Sequence, residues 1–426
     1  MKIAYICPGT GGAFYCENCV RDNALAAGLR ALGHDVDIVP MYLPVNVEDA
    51  PRNNSGAVMF GAVRLYLIDK FPHLKKFPQK MLRLLDCRPI LNMAAGFAGS
   101  TRAGGHEEMT IEMIMGEEGK FADEFEVTAD YIIAQKPDLI FLPNAFLLGI
   151  ASAVKAKLPS IKVVCLLQDE HVWVDASANA YRSKTWEAVS KKINCADNLC
   201  THSNWYREKI AKLINISPDT VSTIPFGVDP KKYIASLSVT TPAQTSIGYI
   251  SRLCREMGMD VLAEAYCQLL KNGICNDSSA VEFCGGYTKD DIAVVNQSRR
   301  KINDAGGRIS IRKHFDMTNR TNFLSSLSLL SVPTQINIAF GGFITEAMAS
   351  GVPVVQPDGG GFSEVIAETG AGLLYSPNTP EALAEALAKI IKDKNLRGSM
   401  GEAGRKAVLG KYNNEEMARQ ALAFLM

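Results

Sequence analysis

The chain has 426 residues, 47% of them hydrophobic and 21% charged, with 45 Lys plus Arg set against 45 Asp plus Glu. That length exceeds what one hydrophobic core fills and implies two domains with a ligand-binding cleft between them. The balanced charge gives no basic excess for a phosphate backbone, so nucleic acid is not an expected partner, and the composition argues against long disordered tails.

Residues 1–12, MKIAYICPGTGG, open with one Lys and a short apolar run, too short for the core of a secretion signal. No uninterrupted apolar stretch reaches the 18 or more residues of a membrane span, so a cytoplasmic protein is expected. KIAYICP reads as a buried strand, and VRDNALAAGLRALG places Leu25, Gly28, Leu29 and Leu32 at helical spacing before the strand DVDIVPMY. The GTGG turn at 9–12 suits a close approach of backbone to a ligand, although any strand-to-helix turn favours glycine. Eleven cysteines are scattered through predicted strands and helices rather than spaced as a disulfide scaffold. Cys16 and Cys19 form a Cys-x-x-Cys at a predicted helix start, with no second pair at zinc spacing; a structural role and a redox or metal role both remain open.

From about 44 to 125 the strand and helix alternation breaks into a helical insertion that includes the acidic, Met-rich HEEMTIEMIMGEEGKFADEF. Within it, residues 70–91 mix Lys75, Lys76, Lys80 and Arg83 with Phe77, Met81, Leu82 and Leu85, a pattern that can make weak peripheral contact with a membrane face or pack with a solvated basic side. Buried strands then follow at 137–143, 162–168 and 198–203, separated by helical segments, which implies a parallel sheet covered on both faces.

Residues 221–244 pass from a strand into polar, Pro-containing sequence, a crossover between domains. A second alternating series begins at TSIGYISRL and runs through VEFCGG, RISIRKHF, LLSVPT and PVVQP with helices between. The predicted fold is α/β, with two doubly wound Rossmann-like domains facing across a cleft. The expected bounds are 1–228 and 229–411, and 412–426 forms a last helix returning to the first domain.

The sharpest chemical signal is FGGFITEAMASG at 340–351, where Gly341 and Gly342 precede a helix whose free N–H groups suit a phosphate. Glu346, read as lying in that helix's first turn, can accept bonds from ribose hydroxyls or merely complement the helix dipole. Arg252 follows the first strand of the second domain, where a guanidinium fork can bond two diphosphate oxygens, although a lone Arg is more often a surface residue.

The order SIGYISRLCREMGMDVLAEAY, FCGG, VPT, FGGFITEAMASGVPVVQPDGGGFSEVI and AGLLYSP resembles the donor domain of the retaining glycosyltransferases called family four, which have the GT-B fold. CVRDNALAAGLRALGHDV, IMGEEGK, LPNAFLLG and IPFGVD resemble a bacterial subgroup with no assigned acceptor. The resemblance implies sugar transfer with retention from a nucleotide diphosphate sugar to a glycan, lipid-linked or small-molecule acceptor, without an obligatory cofactor or metal. By position it makes Arg252 the diphosphate ligand, with the amides of Gly341, Gly342 and Phe343 at the phosphates and Glu346 at the ribose. Phe340, Ile344 and Gly285 line the donor, and Gly11 and Gly12 close over it. Three departures stand out. Ile338 replaces a sugar-contacting Glu; Met257 replaces a Lys that Arg255 could supply, or Arg255 pairs with Glu256 or solvent; and LLQDEH offers Asp169 or His171, as an acceptor-side group or as a helix cap or loop-satisfying pair, where many members have a His. These departures leave a catalytically degenerate binding protein as the alternative. Another enzyme class on the same fold, a phosphorylase or epimerase, ranks third, and no cofactor-lysine motif is recognised.

Overall fold

The computed structural model describes residues 1–8, 15–42, 58–60, 67, 73, 104–234, 244–312 and 317–425. The chain divides into two compact units. One comprises Met1–Gly12, Leu25–Ile224 and Ala418–Met426, and the other comprises Ala13–Ala24 and Pro225–Met417. Gly11, Gly12 and, apart from His73, the basic stretch 70–91 lie outside the described residues.

In the first unit, β1 (Lys2–Cys7), β2 (Asp35–Pro40), β3 (Leu139–Leu142), β4 (Lys162–Leu166), β5 (Asn198–Thr201) and β6 (Val221–Thr223) form one parallel sheet in the order β2-β1-β3-β4-β5-β6. The apolar runs dictate this. All four residues of β3 are buried, as a strand covered on both faces requires. Tyr5 stacks on Phe141 at 5.7 Å between ring centroids, tying β1 to β3. The helix predicted from Val20 begins earlier, at Glu17, and runs to Ala31. The acidic stretch is not one helix. It forms Glu107–Met115, a 3₁₀ turn at Gly116–Glu118, and Ala122–Ala134. The break falls where Gly116 packs on Gly149, whose Cα lies 2.7 Å from an ideal Cβ built on Gly116, so neither position accepts a side chain.

In the second unit, β7 (Ser246–Ile250), β8 (Ala280–Cys284), β9 (Arg308–Arg312), β10 (Leu329–Leu330), β11 (Val354–Pro357) and β12 (Gly372–Tyr375) form a parallel sheet in the order β12-β11-β10-β7-β8-β9. Strand order reverses between β7 and β10. Open parallel sheets bind ligands at the carboxyl ends of strands flanking such a reversal. The helix Met259–Lys271 buries Met259, Leu262, Ala263, Tyr266 and Leu269, the three-and-four spacing of an amphipathic helix on a sheet. Its N-cap, Gly258, has φ 77°, and a Cβ there would lie 1.9 Å from the Pro333 carbonyl. Only glycine lets the loop after β7 lie against the loop after β10.

The α/β architecture with two doubly wound parallel sheets is therefore as expected. Among the described residues no helix is long and apolar enough to cross a membrane. None of the described cysteines, Cys16 and Cys19 among them, is in a disulfide.

Candidate functional site

The chemistry-bearing side chains of the second unit collect at the carboxyl ends of its strands. The chain leaves β10, and Gly341, with φ 97°, turns it into the helix Gly342–Ala349. A Cβ on Gly341 would approach the Phe362 ring to 2.6 Å, so the left-handed turn is both conformationally and sterically reserved for glycine. The turn aims two amide groups the same way. Both donate to one carboxylate oxygen, Glu17 Oε1, at 3.0 Å from Gly341 and 2.6 Å from Gly342. Burial pushes the Glu17 carboxyl up to about 7, against the two amides that favour its charged form; the charge of Glu346 adds to the rise and that of Arg21 opposes it.

Glu346 does not lie in the first turn of its helix, as the sequence suggested. The helix starts at Gly342 and its first turn has no acidic residue, so Glu346 sits one turn further in. It is fully buried, and side chains rather than the helix terminus hold it. Tyr15 Oη donates to Oε2 at 2.5 Å, Tyr233 Oη donates to Oε1 at 2.6 Å, and Arg320 Nε lies 2.6 Å from Oε1. Burial, followed by the Glu346 charge, lifts the Tyr15 phenol well above its ordinary range, so it is a donor at any working pH. Tyr15, Glu17, Tyr233 and Arg320 were absent from the sequence-derived set. An aromatic just before a helix and an acid at its first position, just past the GTGG turn, were the available signal.

Arg252 follows β7 and is partly buried. Its Nε and Nη2 reach Asp291 Oδ2 at 3.0 and 2.9 Å, and Nη2 also reaches Thr288 Oγ1 at 3.1 Å. The Tyr249 hydroxyl donates to the Arg252 carbonyl at 2.7 Å and fixes the backbone. Arg255 behaves differently. Its side chain is 68% exposed and pairs with Asp260 at 3.4 Å, because the turn after Arg252 points it outward. Cys254, Glu256 and Asp291 bring a thiol and two carboxylates within 4.8 Å of one another. Asp291 Oδ2 is already shared by Arg252 and Thr288, and burial pushes the Cys254 thiol up to about 12, so this trio fits a metal poorly.

The remaining predicted positions are structural neighbours. Gly285 has φ 144°, and its carbonyl accepts from the Tyr15 amide at 2.6 Å. Phe340 stacks on Phe226 at 5.2 Å, Phe343 tilts against Phe362, and Ile344 is buried. Ile338 is buried, and its carbonyl accepts from Gly361, so it packs the turn at 358–361.

In the first unit, Asp169 adopts φ 59° before the helix Glu170–Asp175 and makes no capping bond, which removes the cap reading. His171 is buried, its ring 5.7 Å from Trp205 and 5.3 Å from Tyr206. Glu170, between them, accepts from Tyr206 Oη at 2.5 Å and from the Ala145 amide at 3.0 Å, tying the ends of β3, β4 and β5 together.

Residues 240–407 match the model of the family described as Glycosyl transferases group 1. The glycosyl transferases group 1 match takes in Arg252, Asp291, Arg320 and Gly341 to Glu346, and leaves out Tyr15, Glu17 and Tyr233. The chain is 27% identical over 248 residues to a D-inositol 3-phosphate glycosyltransferase of Corynebacterium glutamicum, covering 53% of this chain and 58% of that one. It spans about half the length of the curated relatives it matches, 58%, 60% and 41% of three of them. Among solved structures it is similar to the sucrose-phosphate synthase of Thermosynechococcus elongatus, with TM-score 0.67, 18% identity and 100% and 98% of the two chains covered. It is also similar to HepE of Anabaena in complex with UDP, with TM-score 0.63, 15% identity and 100% and 99% covered. At such identities the likeness is one of fold, the two-domain α/β fold seen here.

Proposed function

We propose that this protein is a retaining glycosyltransferase that takes a sugar from a nucleotide diphosphate sugar and passes it to a glycan, lipid-linked or small-molecule acceptor. The observation that carries the reading is the pair of amides at Gly341 and Gly342. They converge on a carboxylate at the head of a helix, beside the strand-order reversal, inside the glycosyl transferases group 1 match. Two amides that hold a carboxylate have the geometry to hold a phosphate oxygen. The UDP complex of the similar HepE structure supports a nucleotide diphosphate as the ligand class. Arg252 brings a guanidinium already oriented by Asp291 and Thr288. Positive charge preoriented at the departing diphosphate stabilises the leaving group and supplies the main catalytic term. Phe343, Ile344 and Gly285 frame the donor, and Asp169 and His171 are the acceptor-side candidates.

A panel of UDP, GDP, ADP and CMP with their sugars, read by thermal shift, tests the reading. A nucleotide at 100 times its dissociation constant stabilises the folded chain by about 2.7 kcal/mol, and no shift with any of them would reject it. Transfer activity is expected to survive chelation with EDTA; loss restored by a divalent ion would overturn that. The degenerate alternative is favoured by Ile338, whose burial against the 358–361 turn gives a packing role where a sugar ligand was expected. Nucleotide binding without transfer or hydrolysis of the bound sugar would select it.

A further inference from the structure

We infer that the short segment Tyr15–Glu17 is a built-in competitor for the donor, holding in one move both groups that a nucleotide diphosphate would need; this rests on the donor reading above. The amides of Gly341 and Gly342 are spent on Glu17 Oε1 at 3.0 and 2.6 Å. A carboxylate has about four lone-pair positions on its two oxygens. Tyr15 and Tyr233 donate to one oxygen each of Glu346, and Arg320 Nε crowds Oε1 at 2.6 Å. The carboxylate is fully buried, so a ribose diol reaches it only by displacing one of these donors. Tyr15 is two residues from Glu17, so a single displacement frees both the amides and the carboxylate. The segment is fastened at a third point, the Tyr15 amide on the Gly285 carbonyl at 2.6 Å. A carboxyl oxygen already bonded to both amides shows that the pair takes an acidic oxygen ligand, and the chain supplies one itself. The donor must then outcompete an intramolecular carboxylate whose effective concentration is high, which lowers apparent affinity for free nucleotide. The gap is widest for ligands with one phosphate and narrowest for those that also recruit Arg252.

The test is calorimetric titration of the full chain with inorganic pyrophosphate and with UDP, in the wild type, Glu17→Ala, Glu17→Gln and Tyr15→Phe. Glu17→Ala is expected to tighten both ligands by about tenfold or more. Glu17→Gln, which keeps a weaker neutral acceptor for the amides, should tighten them by several-fold and decides the matter if the alanine variant does not fold. Tyr15→Phe should tighten UDP and leave pyrophosphate unchanged, because the phenol competes only at Glu346. Unchanged or weaker binding in both Glu17 variants, with UDP still bound by the wild type and lost in Arg252→Ala, would overturn the competitor while leaving the donor reading intact. No binding of either ligand by any variant would overturn both.

Discussion

At the scale of single residues, Glu346 and Arg320 form a buried ion pair in the site, with side chains 0% and 7% exposed. Removing one member of a buried ion pair strands the other, at a cost of about 3 to 5 kcal/mol. Glu346→Ala is therefore expected to destabilise the chain by an amount in that range in chemical denaturation, and to weaken nucleotide binding by about 1 to 3 kcal/mol. Glu346→Gln keeps the shape and one acceptor oxygen but still leaves the Arg320 charge without its counter-ion, so it avoids only the cavity: affinity should fall, with a loss of stability smaller than in the alanine variant. Wild-type nucleotide affinity in a well-folded glutamine variant would make Glu346 a framework residue only. The two arginines should also part company. Arg252→Ala is expected to cost about tenfold or more in nucleotide affinity, since a charge-assisted bond contributes roughly 1.5 to 3 kcal/mol. Arg255→Ala should change it by less than about threefold, because the side chain points into solvent and pairs with Asp260. A larger loss at Arg255 would show that it swings inward when ligand binds. What could be read in the sequence here followed from locality. Arg252 stands at a strand end and Glu346 in a helix begun by two glycines, both visible in a few consecutive letters. Tyr15 lies 331 positions from Glu346 and Tyr233 lies 113 away, and no local pattern couples residues so distant. The expected use of Arg255 in place of a lysine came from its position near Met257 in the family resemblance, which says nothing about which way a turn aims its side chain.

At the scale of elements, strands with long apolar runs were legible because burial on both faces leaves little choice of residue. β1 and β7 are of this kind. β10 pairs over only Leu329–Leu330, and its flanks are set by neighbours in the sheet rather than by its own sequence. The glycine turn into the helix Gly342–Ala349 was legible for a physical reason: a backbone at φ 97° strongly favours glycine. Its exclusion of other residues can be measured. Gly341→Ala must hold a methyl at φ 97° and 2.6 Å from the Phe362 ring, so the turn must shift. The expected result is a destabilisation of about 1 to 3 kcal/mol together with loss of nucleotide binding, since the two amides would no longer converge. Gly398→Ala, in an open position of the helix Lys394–Gly410, is the matched control and should be neutral or slightly stabilising. Equal effects of the two substitutions would remove the special role given to the turn.

At the scale of the whole molecule, formal charge sums to zero at pH 7, so the pH dependence of stability is set by individual groups whose environments differ between folded and unfolded chain. Two opposing sets are visible. Burial alone would raise Asp197, but the bonds from Lys155 and the Val163 amide bring its carboxyl below the ordinary value; Glu368, bonded by Lys411 and Tyr412, is lowered in the same way. Such groups add stability that is present above their unfolded values and lost on acidification. Glu17 works in the other direction. Burial holds its carboxyl at about 7 against 4.5 when unfolded, so between those values the folded chain keeps a proton that the unfolded chain has released. Its contribution is complete below about 4.5 and disappears as pH rises through 7, with a slope of at most about 1.4 kcal/mol per pH unit for one proton. The groups around it set that window: Glu346 pushes it up, and Arg21 and the amides of Gly341 and Gly342 pull it down. Glu17→Gln removes this one titration and leaves Asp197 and Glu368 untouched. The stability difference, wild type minus variant, is therefore expected to fall steadily from pH 5 to about pH 7 and to level off above pH 8, whatever the absolute curves do. Urea unfolding of both proteins at pH 5, 6, 7 and 8 measures it. A difference that stays constant across the series, or that rises with pH, would mean that Glu17 is an ordinary ionised cap on the Gly342–Ala349 helix.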